Sequence, residues 1–167
     1  MVDAEEILGL PQFDGLDDEQ LSLLAMLMQE RELPGGEDAF AEGDPPSGLY
    51  ILKTGKLDVR VRLGDGNREA SVYVIKPVEL FGEIAFVDDS PRTATVRAIE
   101  DSSVLFLSME SYADLVEENP EIDRIVMKNI AMTLADRLRS TDDKLRNLLA
   151  SSKGMAPQIF TEIFSAT

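Results

Sequence analysis

At 167 residues with 44% hydrophobic side chains, the chain is long enough for one globular domain with a real core. It has no cysteine and no histidine, which removes disulfides, thiolate nucleophiles, imidazole bases and nearly all zinc, haem and iron–sulfur ligation. Its formal charge of −16 opposes the phosphate backbone of nucleic acid, and nearly all of it precedes residue 120, since residues 120–167 carry seven Lys/Arg against six Asp/Glu.

In chain order, the lead-in Leu8-Gly9-Leu10-Pro11-Gln12-Phe13 is apolar and broken by Pro11. Asp17, three residues before Gln20, forms a capping-box pattern. Leu21, Leu24, Ala25 and Met28 then follow at helical spacing, with Met26 and Met28 expected as core filler. From Gly35 the pattern turns to strands. Phe40-Ala41-Glu42 runs into the turn cluster Gly43-Asp44-Pro45-Pro46. Leu49-Tyr50-Ile51-Leu52 reads as a buried strand. Leu57, Val59, Val61 and Leu63 alternate with Asp58, Arg60 and Arg62. Gly64-Asp65-Gly66-Asn67 is a hairpin signal, and Ala70, Val72 and Val74 alternate on the return. Two more strands are predicted at residues 93–98 and 104–107, with Glu100-Asp101 between them. Short strands punctuated by Gly, Pro and Asp, with helices at both ends, give an α+β class built on an antiparallel β-roll of jelly-roll, cupin-like type.

After Ser108, Tyr112, Leu115 and Val116 mark a short amphipathic helix. Pro120 suits a first helical turn, and residues 121–151 hold no Gly or Pro, room for a helix of about 45 Å. Met127, Ala131, Leu134, Leu138, Thr141, Leu145 and Leu148 form a heptad seam, which implies a homodimer through residues 121–151. Ile122, Ile125, Val126 and Ile130 form a second set, expected to pack on the roll. The organisation expected is a roll with N-terminal helices (1–119), a dimerisation helix (120–151) and a short tail (152–167). Ile159, Phe160, Ile163 and Phe164 in that tail suggest a short amphipathic helix.

The chemistry concentrates in Phe81-Gly82-Glu83-Ile84-Ala85-Phe86 and Pro91-Arg92-Thr93-Ala94-Thr95-Val96. Gly82 lets backbone approach a ligand closely. A turn starting near Glu83 offers free N–H groups to an anion, and Arg92 can grip phosphate oxygens in pairs. An ionised Glu83 only accepts hydrogen bonds, so it suits a sugar hydroxyl. Taken alone, Glu83 and Arg92 would read first as an ordinary ion pair across a loop.

Together with their strand context, these residues resemble the phosphate-binding cassette of the cyclic-nucleotide-binding domain family, which includes catabolite activator proteins and the regulatory subunits of cyclic-AMP-dependent protein kinase. The resemblance runs from about Phe13 to about Leu149. It implies that Glu83 binds the ribose 2′-hydroxyl and Arg92 neutralises the cyclic phosphate. Phe81, Gly82, Ile84, Ala85, Thr93 and Ala94 complete the cassette, several through backbone amides. It also places Thr141 against the purine of its own subunit and Asp142 toward the nucleotide of the other subunit. The alternative for these two is a tolerated polar seam residue beside a solvated aspartate. The helix-turn-helix reader found in transcription factors of this group is not expected here, since the sixteen residues after the helix are too few for a two-helix reader with its own core.

The function expected is a stand-alone cyclic-nucleotide receptor, not an enzyme, with no metal, acting through its C-terminal helix on a protein partner the sequence does not name. Thr93 and Asp142 could serve cyclic GMP, Thr141 serves adenine, and the likeness of the helix to the activator branch favours cyclic AMP. The alternative is a protein-interaction or structural module that keeps the fold without binding nucleotide. The short apolar runs and the acidic N-terminus carry neither a membrane span nor a secretory signal, so the expectation is a cytoplasmic protein without membrane or nucleic-acid partners.

Overall fold

The computed structural model describes residues 2–64 and 68–151. The chain opens with α1 (Ala4–Ile7), a 3-10 turn (Pro11–Phe13) and α2 (Asp18–Leu27). The capping box at α2 forms in both directions: Gln20 N–H donates to Asp17 Oδ1 at 2.9 Å, and Asp17 N–H donates to Gln20 Oε1 at 3.1 Å. Leu21, Leu24, Ala25 and Met28 are buried, as their spacing requires. Met26 is not core filler: it is 58% exposed, because it sits one residue, and so about 100°, off the buried stripe.

Among the described residues, eight strands build two four-stranded antiparallel sheets. The first has the order β1 (Gln29–Leu33), β8 (Ser102–Ser108), β3 (Gly48–Thr54), β6 (Leu80–Phe81). The second has the order β2 (Asp38–Phe40), β7 (Thr95–Ala98), β4 (Leu57–Leu63), β5 (Arg68–Ile75). Their inner faces share one core: Leu33, Tyr50, Leu52, Phe81, Val104 and Phe106 from the first sheet meet Leu57, Ile75, Val96 and Ala98 from the second. β3 and β8 bury both faces, with Leu49, Ile51, Leu105 and Leu107 almost wholly inaccessible, which explains their unbroken apolar runs. The outer face of the second sheet is wet and carries an ion-pair cluster of Arg97 with Asp38 and Arg60 with Glu69.

The return strand β5 departs from simple alternation. Val59 pairs with Tyr73 but Arg60 pairs with Ser71, so Val72 is the extra residue of a bulge. Val72 and Val74 consequently point outward at 53% and 38% exposure, and Tyr73 shares the face of Ile75. Residues 65–67 of the expected hairpin turn lie outside the described residues; β4 and β5 flank them as a hairpin requires.

α4 (Met109–Glu118) starts at Ser108, whose hydroxyl accepts from Ser111 N–H at 3.1 Å. α5 runs from Pro120 to Ser151. The chain divides into two compact units, with the boundary inside α5 between Ile130 and Ala131. In the first unit Ile122, Val126 and Ile130 are fully buried. This stretch of α5 lies against the N-terminal segment, where Asn129 donates to the carbonyls of Gln12 (3.2 Å) and Asp14 (2.8 Å). In the second unit the seam residues are half-buried or exposed, Leu138 at 64% and Leu148 at 69%. The expected amphipathic tail, 152–167, lies outside the described residues.

Candidate functional site

The site forms where β6 ends and α3 (Glu83–Asp88) begins. Gly82 is the hinge between them, in the left-handed region at φ 77°, ψ 11°. A side chain there would be strained, and its Cβ would lie 2.8 Å from Arg92 Nη1. Among the described residues no side chain caps the start of α3. Glu83, the first helical residue, is buried at 3% exposure. Phe81 and Ala85 are buried and belong to the packing beneath; Ile84 is 42% exposed.

After α3 the chain turns at Asp89, also left-handed at φ 56°, and Asp88 Oδ1 accepts from Ser90 N–H at 3.0 Å. Hydrogen bonds from Ser90 hold the Asp88 carboxyl below its usual range. The strand entering β7 is then clamped onto the turn cluster: Arg92 N–H donates to Asp44 O and Gly43 N–H to Arg92 O, both at 2.8 Å. Thr93 is exposed and Ala94 half-buried just before β7.

This clamp drives the Arg92 side chain inward, to 3% exposure. Its Nη1 donates to Gly82 O at 2.9 Å, and its Nη2 donates to Gly48 O at 2.8 Å and Ser47 Oγ at 3.2 Å. The guanidinium lies over the Phe40 ring, 4.3 Å from the centroid, with Tyr50 5.6 Å away. Phe40, Tyr50 and Phe81 form a continuous aromatic floor, the Tyr50 and Phe81 rings stacked at 5.1 Å. All three side-chain hydrogen bonds of Arg92 therefore end on neutral oxygens, and its buried Nε–H has no partner. Burial pulls the guanidinium below its ordinary pKa, against the opposing pull of Tyr50, Asp44 and Glu83. Arginine stays charged under such a shift. A buried cation with an unpaired donor is costly unless something anionic completes it.

The geometry thus brings Phe81, Gly82, Glu83 and Arg92 into one locus. It offers a cation for an anion, beside a buried carboxylate that can accept from a hydroxyl. Thr141 and Asp142 belong to the second unit, exposed on α5, where the Thr141 hydroxyl donates to Arg137 O at 2.9 Å. Among the described residues no cluster of acidic side chains could hold a metal ion.

Residues 30–119 match the family pattern described as the cyclic nucleotide-binding domain. The chain belongs to that family. The Cyclic AMP receptor protein of Thermus thermophilus is 36% identical over 137 residues, 82% of this chain and 61% of that protein. A CRP-like cAMP-activated global transcriptional regulator of Mycobacterium tuberculosis is 30% identical over the same share of this chain and 59% of its own. Among solved structures, the Catabolite Activator Protein of Thermus thermophilus superposes with a TM-score of 0.69 at 35% identity, covering 83% of this chain and 62% of that one. The chain spans about three fifths of the length of these relatives. Glu83 and Arg92 fall inside the matched domain; Thr141 and Asp142 fall beyond residue 119.

Sequence reasoning missed the cage around Arg92. Phe40 and Tyr50 read as strand residues, Ser47 and Gly48 carried no reading, and no local pattern marks a carbonyl or a ring as the seat of a guanidinium forty residues on.

Proposed function

We propose that this protein is a non-enzymatic receptor for a cyclic nucleotide, cyclic AMP in preference to cyclic GMP, and that it signals through its long C-terminal helix. The observation that carries this reading is Arg92: a buried guanidinium whose hydrogen bonds to Gly82, Gly48 and Ser47 all end on neutral oxygens, with its Nε–H unpartnered among the described residues, at the arginine position of the family's cassette. A singly charged cyclic phosphate supplies the missing anion, and Glu83 accepts from the ribose. Two similar relatives carry cyclic AMP in their names, which supports adenine over guanine.

A route from the site to α5 lies within the first unit. Phe86 of α3 packs edge-on against Tyr112 of α4, with ring centroids 5.1 Å apart. The Tyr112 hydroxyl donates to Asp123 Oδ1 of α5 at 3.0 Å. Burial, with Asp123 opposite, holds that phenol above its ordinary pKa, so it remains a donor at any working pH. A shift of α3 on ligand binding would therefore be felt by α5 through contacts rather than across a gap. Self-pairing along the heptad seam, with Thr141 and Asp142 reaching nucleotide, completes the proposal. A cytoplasmic setting is consistent with the observation that no described helix is long and apolar enough to cross a membrane.

The test is a side-by-side titration of the parent and Thr93→Ala with cyclic AMP and cyclic GMP. Tighter binding of cyclic AMP by both proteins is expected. A preference for cyclic GMP that vanishes in the variant would overturn the choice of base and leave the receptor in place.

A further inference from the structure

Arg92 Nη2 has two hydrogens and two partners, Gly48 O and Ser47 Oγ. The carbonyl is fixed by the strand it belongs to; the hydroxyl is the adjustable partner. Ser47 is itself well anchored, because its own carbonyl accepts from Met109 N–H at the start of α4 at 3.1 Å. Its hydroxyl also lies 3.4 Å from the Tyr50 hydroxyl, and Tyr50 stands under the guanidinium. A hydroxyl that accepts from Arg92 keeps one hydrogen to donate, so it can hold the guanidinium without neutralising it. A carboxylate at the same place would pair with the charge and compete with an incoming anion.

We propose that Ser47 is a positioning residue of the anion site: its hydroxyl fixes the plane of the Arg92 guanidinium without adding a negative charge that would compete with the phosphate. The proposal rests on the receptor reading for its effect on affinity but not for its effect on Arg92 itself. Only the hydroxyl changes in Ser47→Ala, since the backbone bond to Met109 does not depend on it, and Ser47→Thr restores a hydroxyl.

Two measurements separate the claims. In ligand-free protein, nitrogen-15 NMR of the arginine side chains reports rotation of the Arg92 guanidinium about its Cζ–Nη bonds. Rotation is expected to be slow in the parent and in Ser47→Thr and faster in Ser47→Ala; unchanged rotation in Ser47→Ala overturns the proposal. In titrations with cyclic AMP, Ser47→Ala is expected to bind about tenfold more weakly, the worth of one hydrogen bond to a charged group. Ser47→Thr is expected to recover that loss. In an Arg92→Lys background, where no planar fork remains to be oriented, the loss should shrink to about twofold or less. A tenfold loss that persists there overturns positioning, because Ser47 would then act independently of Arg92. If the parent binds no cyclic nucleotide while Ser47→Ala still frees the guanidinium, the receptor reading fails and the positioning role stands.

Discussion

The cassette and the far half of α5 handle exposed chemistry in opposite ways. Around Arg92 the chain places a charge inside the protein, at 3% exposure, and surrounds it with carbonyls, a hydroxyl and aromatic faces. Along α5 beyond residue 130 it leaves apolar side chains outside, with Met132, Leu138 and Leu148 each more than half exposed. In the first region the buried guanidinium keeps one donor without a partner among the described residues, and in the second apolar side chains remain exposed. Each is energetically incomplete in a single chain without ligand, one through an unsatisfied buried donor and the other through unburied hydrocarbon. On our proposal, the molecule serves two partners of different chemistry, a small anionic ligand and a second copy of the same helix.

Removing the cation should give the largest effect. Losing one side of a buried charge pair costs roughly 2–5 kcal/mol, so Arg92→Ala should weaken cyclic-nucleotide affinity by about 30-fold to several thousand-fold. Glu83→Ala should cost less, because only sugar hydrogen bonds go. Equal affinity in Arg92→Ala and parent, measured by equilibrium titration, would break the first half of the comparison. The second half is tested by replacing Leu134 and Leu138 with Glu, which sets like charges against each other in a symmetric pair. Sedimentation should show a dimeric parent and a monomeric variant; a parent that is monomeric at high micromolar concentration, with or without ligand, would break it.

Legibility followed locality. The α2 cap, the turn at Pro120 and the apolar runs of β3 and β8 were readable because each rests on neighbours in sequence. Strand β1 was not: Gln29-Glu30-Arg31-Glu32 is exposed and polar, and only Leu33 reaches the core. That strand exists because its register with β8, from Gln29 opposite Phe106 to Leu33 opposite Ser102, satisfies an edge. The outward turn of Val72 and Val74 was hidden for a related reason, since a bulge shifts phase without any change in hydrophobic pattern. At the site, Gly82, Glu83 and Arg92 stood out as a motif, while the Phe40, Ser47 and Tyr50 surroundings needed the tertiary fold.

A smaller effect sharpens the contrast between strained and relaxed backbone near the site. Val78, in the turn leading to β6, takes φ 76°, a conformation poorly suited to a β-branched residue. Its N–H donates to Leu52 O at 2.7 Å, which holds the turn in place. Val78→Gly should therefore stabilise the protein by about 1 kcal/mol, read as an increase in the urea midpoint with an unchanged slope. A lower midpoint would mean that the exposed valine contributes packing that outweighs its strain.

The most direct test of the central claim is a calorimetric titration of purified, nucleotide-free parent protein with cyclic AMP. The account predicts saturable binding at one nucleotide per chain, accompanied by a rise in melting temperature, because the ligand completes a buried site in the folded state alone. A folded parent that shows neither saturable heat nor any thermal shift with cyclic AMP or cyclic GMP would contradict it.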